Sequence, residues 1–103
     1  MTSQAIIPIT MPKFGMTMRE GKVADWQVEA GDEVGEGDEI VSIETEKITN
    51  SCEAPADGVF RRRLADSGDT LPVGALIGVI ATSETTEADI DAFVANFKSQ
   101  EEA

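Results

Sequence analysis

The second half of this chain repeats the first. A shift of 37 positions, from 21 to 58, lays Gly21 on Gly58, Gly31 on Gly68, Asp32 on Asp69 and Gly37 on Gly74. The same shift lays Ile40 on Ile77, Ile43 on Ile80 and Thr45 on Thr82. GKVADWQVEAGDEVGEGDEIVSIET and GVFRRRLADSGDTLPVGALIGVIAT are therefore two copies of one unit. Either copy alone would leave an apolar face in water; two copies related by a pseudo-twofold axis cover each other. Lys47 lies just past the first copy, in ETEKIT, and the pseudo-symmetry puts it at one tip of the molecule. Such a fold is a way of presenting one amine to something large.

The pattern inside each copy is short strands between tight turns. Ile6, Ile7 and Ile9 make a β-prone opening strand, and residues 13–21 read as a loop. Residues 22–28 alternate, which places Ala24, Trp26 and Val28 on one face and Val23, Asp25 and Gln27 on the other. Trp26 reads as core, given the size of its apolar surface. Gly31-Asp32 and Gly68-Asp69 mark the same turn in both copies, where glycine supplies positive φ. Residues 38–45 and 74–82 read as matching strands. Residues 48–54 read as another, with Ile48, Cys52 and Ala54 on one face. The architecture expected is an all-β sandwich or barrel. Gly78, Val79 and Ile80 are more apolar than Ser42, Ile43 and Glu44, so the exposed acidic face belongs mostly to the first copy.

Composition removes several function classes. A chain of 103 residues has room for one small core. Its net charge of −12 opposes binding to nucleic acid and to anionic membrane surfaces, and favours basic partners. There is no histidine, the commonest general base and metal ligand, and no metal site is expected. Cys52 is the single cysteine and reads as a small buried filler. The start MTSQAIIPIT has neither a basic stretch nor a long apolar run, so a reducing, cytoplasmic setting is expected.

From Ser83 the composition changes. Residues 1–82 read as the β domain and residues 83–103 as an acidic linker with a short amphipathic helix at about 87–98. Thr86 is placed to cap it, with Asp89 at the capping-box position. Ile90, Phe93, Val94 and Phe97 share one face, and Lys98 suits the helix dipole. Either this helix packs back on the barrel, or it docks on a neighbouring domain. In the Arg61-Arg62-Arg63 run, alternation puts Arg62 on the face of Phe60 and Leu64, snorkelling at an edge.

Lysine on a surface usually signifies nothing. Lys47 stands apart because it connects two repeats, has polar neighbours in Glu44, Thr45, Glu46 and Thr49, and sits in a chain with no other machinery for chemistry. A tight β-turn would hold its Cα while the four-carbon stem projects, a geometry suited to a covalent cofactor that swings between sites.

The chain resembles a lipoyl domain of the 2-oxo acid dehydrogenase family. The resemblance runs from Ile6 to Thr82 and rests on Met11-Pro12-Lys13, Gly21, Trp26, Gly31-Asp32-Glu33-Val34, Gly37-Asp38, Glu44-Thr45-Glu46-Lys47, Ala54-Pro55, Asp57-Gly58, Gly68-Asp69 and Val73-Gly74. It implies a flattened barrel of two four-stranded antiparallel sheets, with lipoate amide-linked to Lys47 by a lipoyl ligase or lipoyl transferase. Glu44, Thr45, Glu46 and Ile48 would then be the recognition positions around the turn, and Phe14, Met16 and Met18 contacts in the loop after the first strand. Those three residues are equally readable as packing on the barrel edge. The implied role is carriage, with the chemistry left to cofactors. Acyl groups and electrons would pass from a thiamin diphosphate-dependent dehydrogenase component to an acyltransferase domain and to a flavin dihydrolipoyl dehydrogenase. ETEKITN and the tail are similar to the acyltransferase component of acetoin dehydrogenase systems.

The acyltransferase itself would need a histidine, which the chain lacks, so either an excised domain or a free-standing carrier is expected. A biotin carrier shares the implied fold, but its turn flanks the lysine with methionines, where this chain has Glu46 and Ile48. An unmodified β-barrel interaction domain is the third reading. The core is complete without Lys47, so the barrel is expected to fold without a cofactor.

Overall fold

The computed structural model describes residues 6–16, 18–46 and 48–102, with side chains described as far as Phe97. Among the described residues, eight strands precede one helix: β1 (Ile7–Thr10), β2 (Glu20–Trp26), β3 (Glu33–Val34), β4 (Glu39–Glu44), β5 (Thr49–Glu53), β6 (Gly58–Arg63), β7 (Thr70–Pro72), β8 (Leu76–Ala81) and α1 (Glu87–Glu102). They form two four-stranded sheets, ordered β1-β8-β6-β3 and β5-β4-β2-β7, with every pairing antiparallel. Exchanging β1 with β5, β2 with β6, β3 with β7 and β4 with β8 turns one sheet order into the other. The pseudo-twofold axis expected from the repeat is present.

The symmetry extends to single hydrogen bonds. Gly31 N–H donates to the Phe60 carbonyl and Gly68 N–H to the Val23 carbonyl, both at 2.7 Å. The Asp32 carboxylate accepts from Glu29 N–H, and Asp69 from Asp66 N–H, both at 2.9 Å. Gly31 and Gly68 have φ of 103° and 99°, and Gly37 and Gly74 have 92° and 91°. Side chains rarely adopt that region, which is why glycine recurs at the same place in each copy. Gly21 and Gly58 recur for another reason. A Cβ at Gly21 would lie 2.8 Å from Ile43 Cγ2, and one at Gly58 would lie 2.6 Å from Ile80 Cγ2. Here the missing side chain lets a strand approach the core.

Ile9, Val23, Ile40, Ile43, Phe60, Ile77 and Ile80 are buried in the central cluster. Burying each such side chain contributes about 1.5–3 kcal/mol. Trp26 caps one edge of this core, its ring 5.2 Å from that of Phe60 and its indole N–H donating to the Ala65 carbonyl at 2.9 Å.

Three details of the sequence reading are corrected. The register of β2 against β4 slips between Val23 and Asp25, so simple alternation fails: Val23 is buried and Trp26 also packs against the core. The equivalent slip in β6, between Phe60 and Arg62, pairs Phe60 with Ile80 and Arg62 with Val79. Adjacent residues of β8 point to opposite faces, so Arg62 leaves the face of Phe60. Ile48 lies in the turn before β5 and is exposed, because the hairpin closes one residue later than the apolar pattern suggests.

Helix α1 starts where expected, with Asp89 N–H donating to Thr86 Oγ1 at 3.1 Å. It runs beyond the expected 98 to Glu102, since nothing in Ser99-Gln100-Glu101 breaks a helix. The side chain of Lys98 lies outside the described residues. The first turns pack on β8: Ile90 is buried, as are Val79 and Ala81. Glu87 accepts from Arg61 at 3.1 Å and from Arg62 at 2.5 Å, and Arg62 also pairs with Asp91. These hydrogen bonds, that from Arg62 first, hold the Glu87 carboxyl below its ordinary value. Further on, Phe93 and Phe97 stay half-buried with ring centroids 6.1 Å apart.

Candidate functional site

Strands β4 and β5 pair down to Glu44 opposite Thr49, and the four residues 45–48 close the hairpin. Thr45 N–H donates to the Ile48 carbonyl at 2.8 Å. The Thr45 hydroxyl donates to the same carbonyl at 3.1 Å and accepts from Ile48 N–H at 3.3 Å. Both sides of the turn are thus fixed. Lys47 belongs to this turn by sequence and lies outside the described residues. Its neighbours Glu46 and Ile48 are exposed, and Ile48 shows 48% of its surface although it is large and apolar. Glu44 is exposed at the end of β4, opposite Lys22 of β2.

The loop after β1 comes to the same place. Phe14 and Met18 pack against the core cluster, and Phe14 N–H points at Met18 Sδ, 3.2 Å away. Met16 is 93% exposed. The three loop residues singled out from sequence therefore divide: two pack on the barrel edge and one stands in solvent. Between this loop and the turn lies a groove of about 690 Å³, lined by Phe14, Met18, Glu20, Lys22, Thr45 and Ile48 among others. The structure thus brings Glu44, Thr45, Glu46 and Ile48 together with Phe14 and Met18.

Sequence reasoning missed the groove, Lys22 and Gly21 as its floor. A signal for it existed in the repeat itself. Residues 11–20 span ten positions, whereas their pseudo-symmetric counterpart, residues 54–57, spans four. The surplus lies beside the lysine turn. Cys52 is buried as expected, and its burial, with a smaller contribution from Glu53, pushes the thiol up to about 11. At neutral pH it is a filler and not a nucleophile.

A repeated barrel with an exposed hairpin turn at the sequence Glu44-Thr45-Glu46-Lys47 suits an attachment domain, and comparison with known proteins identifies the class. The family described as "Biotin-requiring enzyme" (Biotin_lipoyl) matches residues 7–80. The chain is 48% identical over 92 residues to the dihydrolipoyllysine-residue acetyltransferase component of the acetoin cleaving system of Pseudomonas putida. That match covers 89% of this chain and 25% of the relative. The corresponding component of Cupriavidus necator is 48% identical over 97 residues, covering 94% of this chain and 26% of the relative. The solution structure of the lipoyl domain of the 2-oxoglutarate dehydrogenase complex from Azotobacter vinelandii superposes with a TM-score of 0.56 at 33% identity, covering 75% of this chain and 99% of that one.

The chain belongs to the biotin/lipoyl attachment family, and within it to the lipoyl domains. It spans about a quarter of the length of the acetoin-system relatives. Among the described residues, no helix is long and apolar enough to cross a membrane.

Proposed function

We propose that this chain is the lipoyl carrier domain of an acyltransferase component, with lipoate amide-linked to Lys47. The observation that carries the reading is the hairpin turn 45–48: Glu46 and Ile48, which flank Lys47 in sequence, are exposed, and Thr45 is tied to Ile48 by backbone and hydroxyl bonds. The fit to the group is chemical, since an amide link needs a primary amine on a turn whose flanks stand clear, and Glu46 and Ile48 are both exposed. When bound, lipoate supplies a dithiolane that carries an acyl group and two electrons. The protein's part is to hold the turn, keep the core closed beneath it, and offer the loop around Phe14 and Met18 as a partner surface. Tethering raises the arm's effective concentration at each active site, so function does not require tight binding. The domain carries and does not catalyse.

The likeness to acetoin-system components points to acetyl as the carried group and to acetoin cleavage as the setting. The partners of this reading are a lipoyl ligase or transferase, a thiamin diphosphate-dependent dehydrogenase component, an acyltransferase domain and dihydrolipoyl dehydrogenase. A cytoplasmic setting suits a chain whose one cysteine is buried. Residues 1–82 form the carrier unit in this reading, and 83–103 the acidic linker that carries α1.

The test is intact mass after expression in a host that holds both lipoyl and biotin ligases, with peptide mapping. One lipoyl adduct on Lys47, lost in Lys47→Ala and retained in Lys13→Ala and Lys22→Ala, is expected. A biotinyl adduct would move the protein to carboxyl transfer, and no adduct with ligase in excess would leave an interaction domain.

A further inference from the structure

Across the turn 45–48, Thr45 N–H donates to the Ile48 carbonyl at 2.8 Å. The primed turns whose twist matches that of the strands need positive φ at the first central residue, here Glu46, and among the described residues only glycines have positive φ, so those turns are excluded. A second attraction beside the backbone bond holds the turn, and the Thr45 side chain supplies it. Its hydroxyl bonds both backbone groups of Ile48, accepting from the N–H at 3.3 Å and donating to the carbonyl at 3.1 Å. Short hydroxyl side chains commonly replace backbone partners in this way.

The pseudo-symmetric residue behaves differently. Thr82 exchanges a hydroxyl bond with Thr85 at 2.9 Å, and the chain goes on into a helix instead of returning as a strand. The hydroxyl clasp across a hairpin thus belongs to the lysine-bearing copy.

We propose that Thr45 is a positioning residue for the modification of Lys47. Its hydroxyl, bonded to both backbone groups of Ile48, holds the turn in the shape that the lipoyl-attaching enzyme accepts. This rests on the lipoyl carrier reading. The enzyme must reach an amine that lies in sequence between Glu46 and Ile48; flanks free to splay would present it in many orientations, few of them productive. Thr45 acts here through the backbone and touches no cofactor.

The experiment compares wild type, Thr45→Val and Thr45→Ser. Valine keeps the branched shape and loses the hydroxyl; serine keeps the hydroxyl. Lipoyl ligase with lipoate and ATP should modify Thr45→Val with kcat/KM about fivefold to 100-fold lower, as expected for two lost hydrogen bonds, and Thr45→Ser at close to the wild-type value. Acetylation of Lys47 by N-hydroxysuccinimidyl acetate, which needs no fixed turn, should proceed equally in all three. The Ile48 amide should exchange faster with solvent in Thr45→Val only. Thr45→Val modified as fast as wild type, or Thr45→Ser as slow as Thr45→Val, would overturn the proposal and leave the carrier reading standing. A wild-type chain that accepts no lipoyl group would overturn both.

Discussion

The two copies of the repeat share a backbone and differ in what covers them. On β4, Ser42 is half-buried and Glu44 exposed; at the equivalent places on β8, Val79 and Ala81 are buried. The cause is α1, which packs on β8 through Ile90 and is clasped by Arg61 and Arg62. The first copy ends in a tight turn with its outer face open, and the second ends in a helix that closes its own face. Symmetry builds the barrel; departures from symmetry build the site. The longer loop after β1 is the other departure, and it lies on the same side as the turn.

That contrast can be pressed at paired positions, beginning with the core. Phe60 occupies in the second copy the place of Val23 in the first, and both are fully buried. Phe60→Ala should cost about 3–5 kcal/mol and Val23→Ala roughly 2 kcal/mol, measured by urea unfolding. Equal losses would show that the halves share the core evenly, against the inequality drawn here. A smaller effect is expected at the close-approach glycines. Gly58→Ala meets the stiff branched side chain of Ile80 and should cost about 1–3 kcal/mol. Gly21→Ala should cost less. Two of its three nearest neighbours, Met11 Sδ and Met18 Cε, belong to flexible side chains, although Ile43 does not. The reverse order of melting temperatures would contradict this account.

The smallest effect separates the helix from the turn. The Glu87 carboxyl is held below its ordinary value by Arg62 and Arg61. A group with a depressed folded pKa stabilises fully above the unfolded carboxylate value of about 4.3 and loses that contribution as pH falls through the folded value. The protection of the Ile90 amide, its exchange rate taken against the intrinsic rate at the same pH, should therefore fall in acid, while the protection of the Thr45 and Ile48 amides, bonded to neutral groups, should not change. Glu87→Gln should flatten the pH dependence at Ile90. An acid loss of protection that persists in Glu87→Gln would assign the docking of α1 to another group. Removal of Arg62 as Arg62→Ala should loosen the same amides at neutral pH and leave the barrel folded.

Much of this was legible in the residues. The repeat register located both sheets, and the four positive-φ glycines fell where Gly31, Gly37, Gly68 and Gly74 recur. The helix start at Thr86 followed from its cap. The hairpin turn at 45–48 followed from the motif around it. The bulges after Val23 and Phe60 were not legible, because a register slip is set by the partner strand and leaves no mark on local alternation. Nor was the fate of the loop residues: Phe14 and Met18 turn inward and Met16 outward, though all three are apolar.

Short-range physics explains the division. The sign of φ at a glycine, the cap of a helix and the spacing of a repeat depend on a few neighbouring residues, so the sequence by itself determined the two-copy barrel and its lysine-bearing turn. The groove beside that turn, the Thr45 clasp and the closure of β8 by α1 depend on residues tens of positions apart meeting in one register. Only the tertiary structure could decide them, because the free energy of those contacts exists only once the two sheets have closed on each other.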